Sequence, residues 1–203
     1  MNGILLVDKP AGWTSHDVVA KLRGVLGERR MGHSGTLDPM ATGLLVVFAG
    51  RATRAVSFSE NHTKCYEAHL RLGLTTDTQD TTGTVLSRSE RAVSRAELEA
   101  VLPQFRGDIL QVPPMYSAVK VNGKKLYELA REGKEIARKA RTIEVYDIRI
   151  RRFLPPDRVE MDIDCSKGTY IRTLCADIGK ALGCGGHMAE LLRTATGSFS
   201  LEN

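Results

Sequence analysis

The stretch Gly32-His33-Ser34-Gly35-Thr36-Leu37-Asp38-Pro39-Met40-Ala41-Thr42-Gly43 runs directly into the apolar run Leu44-Leu45-Val46-Val47-Phe48. The second run is short and rich in branched side chains, the signature of a buried strand. Residues 28–43 read as a Gly-rich loop that delivers the chain to that strand. Pro39 removes a backbone donor and biases Asp38 toward an extended or turn conformation. A single carboxylate is therefore held on a stiff, irregular loop against a core strand, which is how a scaffold presents a reactive group. An Asx-Pro turn, with Asp38 bonded only to nearby backbone, is the alternative that loop chemistry leaves open.

Outward from this stretch, residues 3–8 read as a strand and Lys9-Pro10-Ala11-Gly12-Trp13 as a turn. Thr14 or Ser15 caps a helix carrying Val18, Val19, Leu22 and Leu26, with Gly27 near its end. Residues 64–72 alternate, with Tyr66, Ala68, Leu70 and Leu72 on one face, as in a half-buried strand. A polar loop covers 75–83, and Ser94 with Glu97 forms the capping box of a short helix. Gln111-Val112-Pro113-Pro114 breaks regular structure. Residues 124–133 are predicted helical, and 142–153 and 158–165 are predicted strands that could pair as a hairpin. Ser166-Lys167-Gly168-Thr169 leads into a helix carrying Ile171, Leu174, Cys175 and Ile178. A last short helix near 187–194 and a strand over 198–201 are predicted to follow. With no repeat or linker, the expectation is one α+β domain over 1–203, dominated by antiparallel strands.

The 203 residues, 42% hydrophobic and 26% charged, suit a soluble globular protein with a substantial core. The apolar runs are too short to span a membrane, and the first residues lack the basic lead and cleavage site of a signal peptide. The cysteines, Cys65, Cys165, Cys175 and Cys184, form no Cys-x-x-Cys pair. That argues against a disulfide framework or zinc site and fits a reducing cytoplasm. Charge is unevenly spread: residues 114–152 hold 11 Lys and Arg against 5 Asp and Glu, and the remainder holds 18 against 19. Such a concentration suggests a polyanionic partner, most simply nucleic acid, although a solvated helix face gives the same pattern.

Several stretches together resemble the TruB family of tRNA pseudouridine synthases. They are Asp8-Lys9-Pro10-Ala11-Gly12-Trp13-Thr14-Ser15, Gly32 to Gly43, Lys64-Cys65-Tyr66-Glu67, and Leu72-Gly73 with Thr76-Asp77-Thr78-x-Asp80. Gln111-Val112-Pro113-Pro114-Met115-Tyr116-Ser117-Ala118-Val119-Lys120, Gly168-Thr169-Tyr170-Ile171-Arg172 and Gly186-His187-Met188-Ala189-Glu190-Leu191-Leu192-Arg193-Thr194 complete the set, in family order. The resemblance implies the pseudouridine synthase catalytic fold, a curved, mainly antiparallel sheet flanked by helices and loops. It implies isomerisation of the uridine at position 55 in the T arm of tRNA. Longer members carry a C-terminal RNA-binding PUA domain, which this chain, ending at Asn203, is expected to lack.

Pseudouridylation breaks an N-glycosidic bond, turns the uracil and rejoins it through carbon, so it needs no redox group, phosphate donor or metal. No cofactor is expected, and the chain has no GxGxxG, P-loop or metal-ligand spacing. The reaction does need a nucleophile or anionic stabiliser, and the resemblance assigns that role to Asp38. Whether Asp38 attacks the sugar, attacks the base or assists elimination is left open by the sequence. Tyr66 could stack on the target base and move a proton through its hydroxyl, or be a core tyrosine. The resemblance implies an ion pair between Arg172 and Asp38 that orients the acid. Tyr170 is expected to line the pocket or bond near Asp38, and Leu191 to pack against the base or belong to the core. The target must leave its stack, and His33, expected in the same loop as Asp38, is the candidate to fill the vacancy. Lys9 and Pro10 are expected to support the catalytic loop.

Residues 114–142 match a family insertion that grips the RNA arm like a thumb. Lys120, Lys124, Lys125, Arg131, Lys134, Arg138 and Lys139 are expected to meet phosphates, and to lack partners before RNA arrives. Three readings compete: a stand-alone, monomeric tRNA isomerase needing no protein partner, a subunit guided by a separate RNA, and an RNA chaperone. A glycosidase would need a second carboxyl group, and none is evident near Asp38 in sequence.

Overall fold

A computed structural model describes residues 1–59, 62–121 and 123–202. The chain opens with β1 (Gly3–Lys9), α1 (Ser15–Leu26), β2 (Met31–Ser34), β3 (Thr42–Ala49) and α2 (Val56–Ser59). Next come β4 (Lys64–Leu72), β5 (Leu74–Thr76), β6 (Val85–Arg88), α3 (Arg95–Val101) and β7 (Gly107–Gln111). The basic segment holds β8 (Lys120–Val121), β9 (Lys124–Lys125) and α4 (Leu126–Arg131). The chain then forms β10 (Arg141–Leu154), β11 (Arg158–Cys165), α5 (Ile171–Ala181), β12 (Gly186–Thr196) and β13 (Phe199–Ser200). No helix among the described residues is long and apolar enough to cross a membrane.

Among the described residues the main sheet has nine strands, in the order β1-β3-β12-β4-β11-β10-β7 with β2 and β13 added at its side. Its pairings are antiparallel except that of β12 with β3. Local chemistry explains several elements. Thr14 caps α1 by accepting from the Asp17 amide, Asp17 accepts in return from Thr14, and Gly27 closes the helix in the left-handed region at φ 62°. Ser94 and Glu97 form the expected box on α3. In β4 the alternation buries Tyr66, Ala68, Leu70 and Leu72, and β10 and β11 form the predicted hairpin. The main core gathers these residues with Ile143, Val145, Ile148, Met161, Ile163, Leu174, Ile178 and Leu191. A second apolar cluster lies under α1, around Val18, Val19, Leu45 and Val47.

Two expectations fail. Residues 187–194, predicted helical, lie within the 11-residue strand β12, which pairs on one edge with β4 and on the other with β3. Met188, Ala189, Glu190, Leu191 and Leu192 favour helices when isolated, but burial between two strands outweighs that preference. The loop expected over 28–43 is interrupted by β2, in which His33 pairs with Val47. The irregular part carrying Asp38 is thereby reduced to residues 35–41.

Candidate active site

The loop 35–41 leaves β3 at a break in its pairing. One edge of β3 pairs with β12 at Thr42 and Gly43 and with β2 from Val46 to Ala49. Gly43 is required where β12 meets it: its φ is +100°, and a Cβ there would lie 2.3 Å from the Arg193 carbonyl oxygen. The Arg193 side chain, fully buried, bridges the break. Its Nε donates to the Leu44 carbonyl (2.8 Å) and its Nη2 to the Gly35 carbonyl (3.0 Å). The N-terminal turn holds the loop from another direction. Lys9, also fully buried, donates from Nζ to the carbonyls of Pro10, Trp13 and Pro39 at 2.9, 2.7 and 3.3 Å. Ser15 Oγ accepts from the Leu37 amide at 2.9 Å, and the Gly12 amide donates to the Pro39 carbonyl at 2.8 Å. Burial pulls the Lys9 ammonium below its ordinary pKa, with Asp38 opposing that effect and Arg193 adding to it.

Asp38 projects from this braced loop with a third of its side chain exposed (32%). Arg172, the second residue of α5, grips it in a fork: Nε donates to Oδ2 at 2.7 Å and Nη2 to Oδ1 at 3.2 Å. The same guanidinium donates from Nη1 to the Thr78 carbonyl and from Nη2 to the Tyr116 carbonyl, both at 2.9 Å. Its Nε also lies 3.7 Å from Oδ2 of buried Asp80. Asp80 organises its turn by accepting through Oδ1 from Thr78 Oγ1, Thr82 Oγ1 and the Thr82 amide at 2.7, 2.6 and 2.9 Å. Asp38 is therefore neither in a local Asx turn nor alone: a second carboxylate reaches the same arginine. Asp80 stands in the family-like motif Thr76-Asp77-Thr78-x-Asp80, but the sequence assigns it no role of its own.

Tyr66 and Leu191, each 7% exposed, belong to the same core cluster as Leu37 and Ala41, which flank Asp38 in the loop, and Met40 packs against that cluster. Tyr66 is in register with Arg193 across β4 and β12, and Leu191 with Ala68. Burial pushes the Tyr66 phenol up to about 12, with Arg193 pulling the other way. Tyr170 is the half-buried N-cap residue of α5. Its amide donates to Gln111 Oε1 at 2.8 Å and its carbonyl accepts from Gln111 Nε2 at 3.1 Å. His33 lies in β2, not in the irregular loop that carries Asp38. From β2 it packs its ring edge-on to His16 of α1, with centroids 5.5 Å apart. Burial pulls its pKa down to about 4, helped by His16 and Arg193.

The basic segment corrects another expectation. Lys125 bonds the Tyr127 hydroxyl at 3.1 Å, Arg131 stacks 5.3 Å from the Tyr127 ring, and Lys134 pairs with Glu132 at 2.7 Å. Arg138 pairs with Glu135 at 2.9 Å and bonds the Pro113 carbonyl at 3.2 Å. These four side chains meet acceptors or a ring within the segment itself, since its glutamates and tyrosine lie within four positions along the chain. Lys120, Lys124 and Lys139 make no ion pair among the described residues.

A family model described as TruB family pseudouridylate synthase, N-terminal domain, matches residues 23–171. A second, described as the tRNA pseudouridylate synthase B C-terminal domain, matches residues 172–203. The chain belongs to the TruB family of tRNA pseudouridine synthases. The boundary between the two matches falls inside α5, and β12 from the second pairs with β3 and β4 from the first, so both segments share one sheet. Among TruB relatives, tRNA pseudouridine synthase B of Clostridium novyi (strain NT) is 52% identical over 203 residues, covering 100% of this chain and 70% of that protein. Its counterpart in Heliobacterium modesticaldum is 50% identical over 206 residues, covering 100% of this chain and 67% of that protein. In the crystal structure of a Cbf5–Nop10–Gar1 complex, one chain is 35% identical with a TM-score of 0.77, covering 98% of this chain and 50% of that chain. The chain thus spans about two thirds of the curated TruB relatives and half of that solved chain. The pseudouridine synthase fold expected from the sequence is the fold observed. Membership of the TruB family brings with it the isomerisation of uridine in tRNA.

Proposed function

We propose that this chain isomerises the uridine at position 55 in the T arm of tRNA, with Asp38 as the reacting carboxylate. The observation that carries the reading is the Asp38–Arg172 fork: an acid one-third exposed, gripped by a guanidinium that is itself only 4% exposed. The isomerisation breaks the N1–C1′ bond, forms the C5–C1′ bond, removes a proton from C5 and returns one to N1. Asp38 supplies the nucleophile or anionic stabiliser beside the sugar and base. Tyr66 and Leu191 form an apolar floor that keeps the freed uracil from escaping, and Tyr170 lines the entrance. Flipping the target costs a few kcal/mol, and His33 stacks into the vacated place. Lys120, Lys124 and Lys139 meet phosphates directly, and Lys125, Arg131, Lys134 and Arg138 exchange their internal partners for phosphate. The enzyme acts as a cytoplasmic monomer without a protein partner.

Conversion of an unmodified tRNA transcript by the purified protein, mapped by mass spectrometry after base-specific labelling, tests this. Wild type is expected to convert the T-arm uridine, and Asp38→Asn to bind tRNA while losing activity by about 10³-fold or more. Binding without conversion by wild type would favour a guided subunit or a chaperone instead.

A further inference from the structure

Gln111 stands where the basic segment departs and returns. It is the last residue of β7, and its register partner is Arg141, the first residue of β10. The described residues between 112 and 140 leave and rejoin the main sheet at that pair. The Gln111 side chain is buried at 2% exposure and faces away from solvent toward α5. There its side-chain amide meets the backbone of one residue on both sides, accepting from the Tyr170 N–H and donating to the Tyr170 carbonyl. Tyr170 is the cap residue of α5, and the adjoining turn of that helix carries Arg172.

A second tie runs between the same two elements. The Tyr116 carbonyl, five positions beyond Gln111, accepts from Arg172 Nη2, the nitrogen that also holds Asp38 Oδ1. Between the ties lie Pro113 and Pro114, whose rings fix φ and restrict the residue before each, so the link is stiff. The root of the basic segment is therefore fastened twice to the start of α5, once at the helix cap and once at the guanidinium that orients the acid. A displacement of this root cannot leave Arg172 unmoved unless one of the ties breaks.

We propose that Gln111 is a positioning residue that transmits the grip of the basic segment on RNA to the Asp38–Arg172 fork. The proposal rests on the reading of the chain as a tRNA isomerase. When the segment closes on phosphates, the Gln111–Tyr170 pairing makes α5 follow and tightens the fork, which is already formed without RNA at 2.7 and 3.2 Å. The glutamine is suited to this because its amide offers a donor and an acceptor in one plane, which neither glutamate nor leucine reproduces.

The test is a double-mutant cycle of Gln111→Leu with Lys124→Ala, read as single-turnover rate at saturating tRNA and as tRNA Kd. Gln111→Leu is expected to lower the saturating rate about tenfold with Kd changed less than twofold. Lys124→Ala is expected to lower that rate in the wild-type background and to leave it unchanged in the Gln111→Leu background. Multiplicative effects, or no effect of Lys124→Ala on the saturating rate in either background, would overturn the proposal. Gln111→Glu, which keeps the acceptor for the Tyr170 amide and loses the donor, serves as the second variant should Gln111→Leu fail to fold. Amide hydrogen exchange over 168–174 gives a readout independent of turnover. Added tRNA is expected to slow exchange there in wild type and not in the Gln111 variants, and equal slowing in both would also overturn the proposal. Failure of the wild type to convert tRNA would remove the isomerase reading, and the exchange comparison would still decide the coupling.

Discussion

Lys9 and Arg193 bury two positive charges against one loop, at its Pro39 and Gly35 carbonyls, and neither makes an ion pair with a carboxylate among the described residues. Two like charges are thereby taken out of water: Lys9 is held by three backbone oxygens, and Arg193 by two, its buried Nη1 meeting no acceptor among the described residues. Removing one charge relieves a desolvation cost, but it leaves carbonyls without donors, and the second effect is the larger where the carbonyls are buried. Lys9→Met is expected to lower unfolding free energy by about 1–3 kcal/mol and activity by more than that loss explains. The midpoint of urea denaturation checks it, and an equally stable variant would show that the loop does not depend on Lys9.

Arg172 fills five roles with one planar group: two bonds to Asp38, one each to Thr78 and Tyr116, and proximity to Asp80. A lysine carries the charge but presents a point rather than a fork, and cannot span both carboxylate oxygens. Arg172→Lys is expected to reduce the saturating single-turnover rate by roughly 10²-fold while tRNA affinity changes little. Near-normal turnover would mean that charge alone suffices and that the fork is incidental.

His33 makes stability depend on pH. Its pKa falls from 6.5 unfolded to about 4 folded, so between those values the unfolded chain binds a proton that the folded chain refuses. Stability is complete above about pH 6.5 and declines as pH drops toward 4, by a contribution on the order of 2 kcal/mol. His33→Gln removes the titrating group, so its stability is expected to fall less between pH 7 and pH 4.5 than that of wild type. Urea midpoints at the two pH values measure the difference, and parallel declines would place the effect elsewhere.

The parts legible in the sequence were those written by local rules. Period-two alternation marked β4 and the side chain of Tyr66, the Ser94 and Glu97 spacing marked α3, and Pro39 marked the irregular backbone at Asp38. What escaped depends on contacts between distant residues. Arg172 meets Asp38 across 134 positions, and only family resemblance paired them. Asp80, Gln111 and Arg193 are polar, and nothing local announces that a polar side chain will be buried against backbone. The strand state of β12 is likewise set by the neighbours it lies between, since its own residues favour a helix.

That placement of β12 bears on how the molecule comes into being. β1, β2 and β3 form one set of strands and β4, β11, β10 and β7 another, and among the described residues only β12 joins them in the main sheet. Asp38 issues from the first set and Tyr66 from the second, and β12 contributes Leu191 and Arg193 at the seam. The two sets cannot be joined in one sheet before β12 is made, since it is the strand that pairs with both. A chain lacking β12 would carry Asp38, Tyr66 and Arg172 without the strand that joins the two sets.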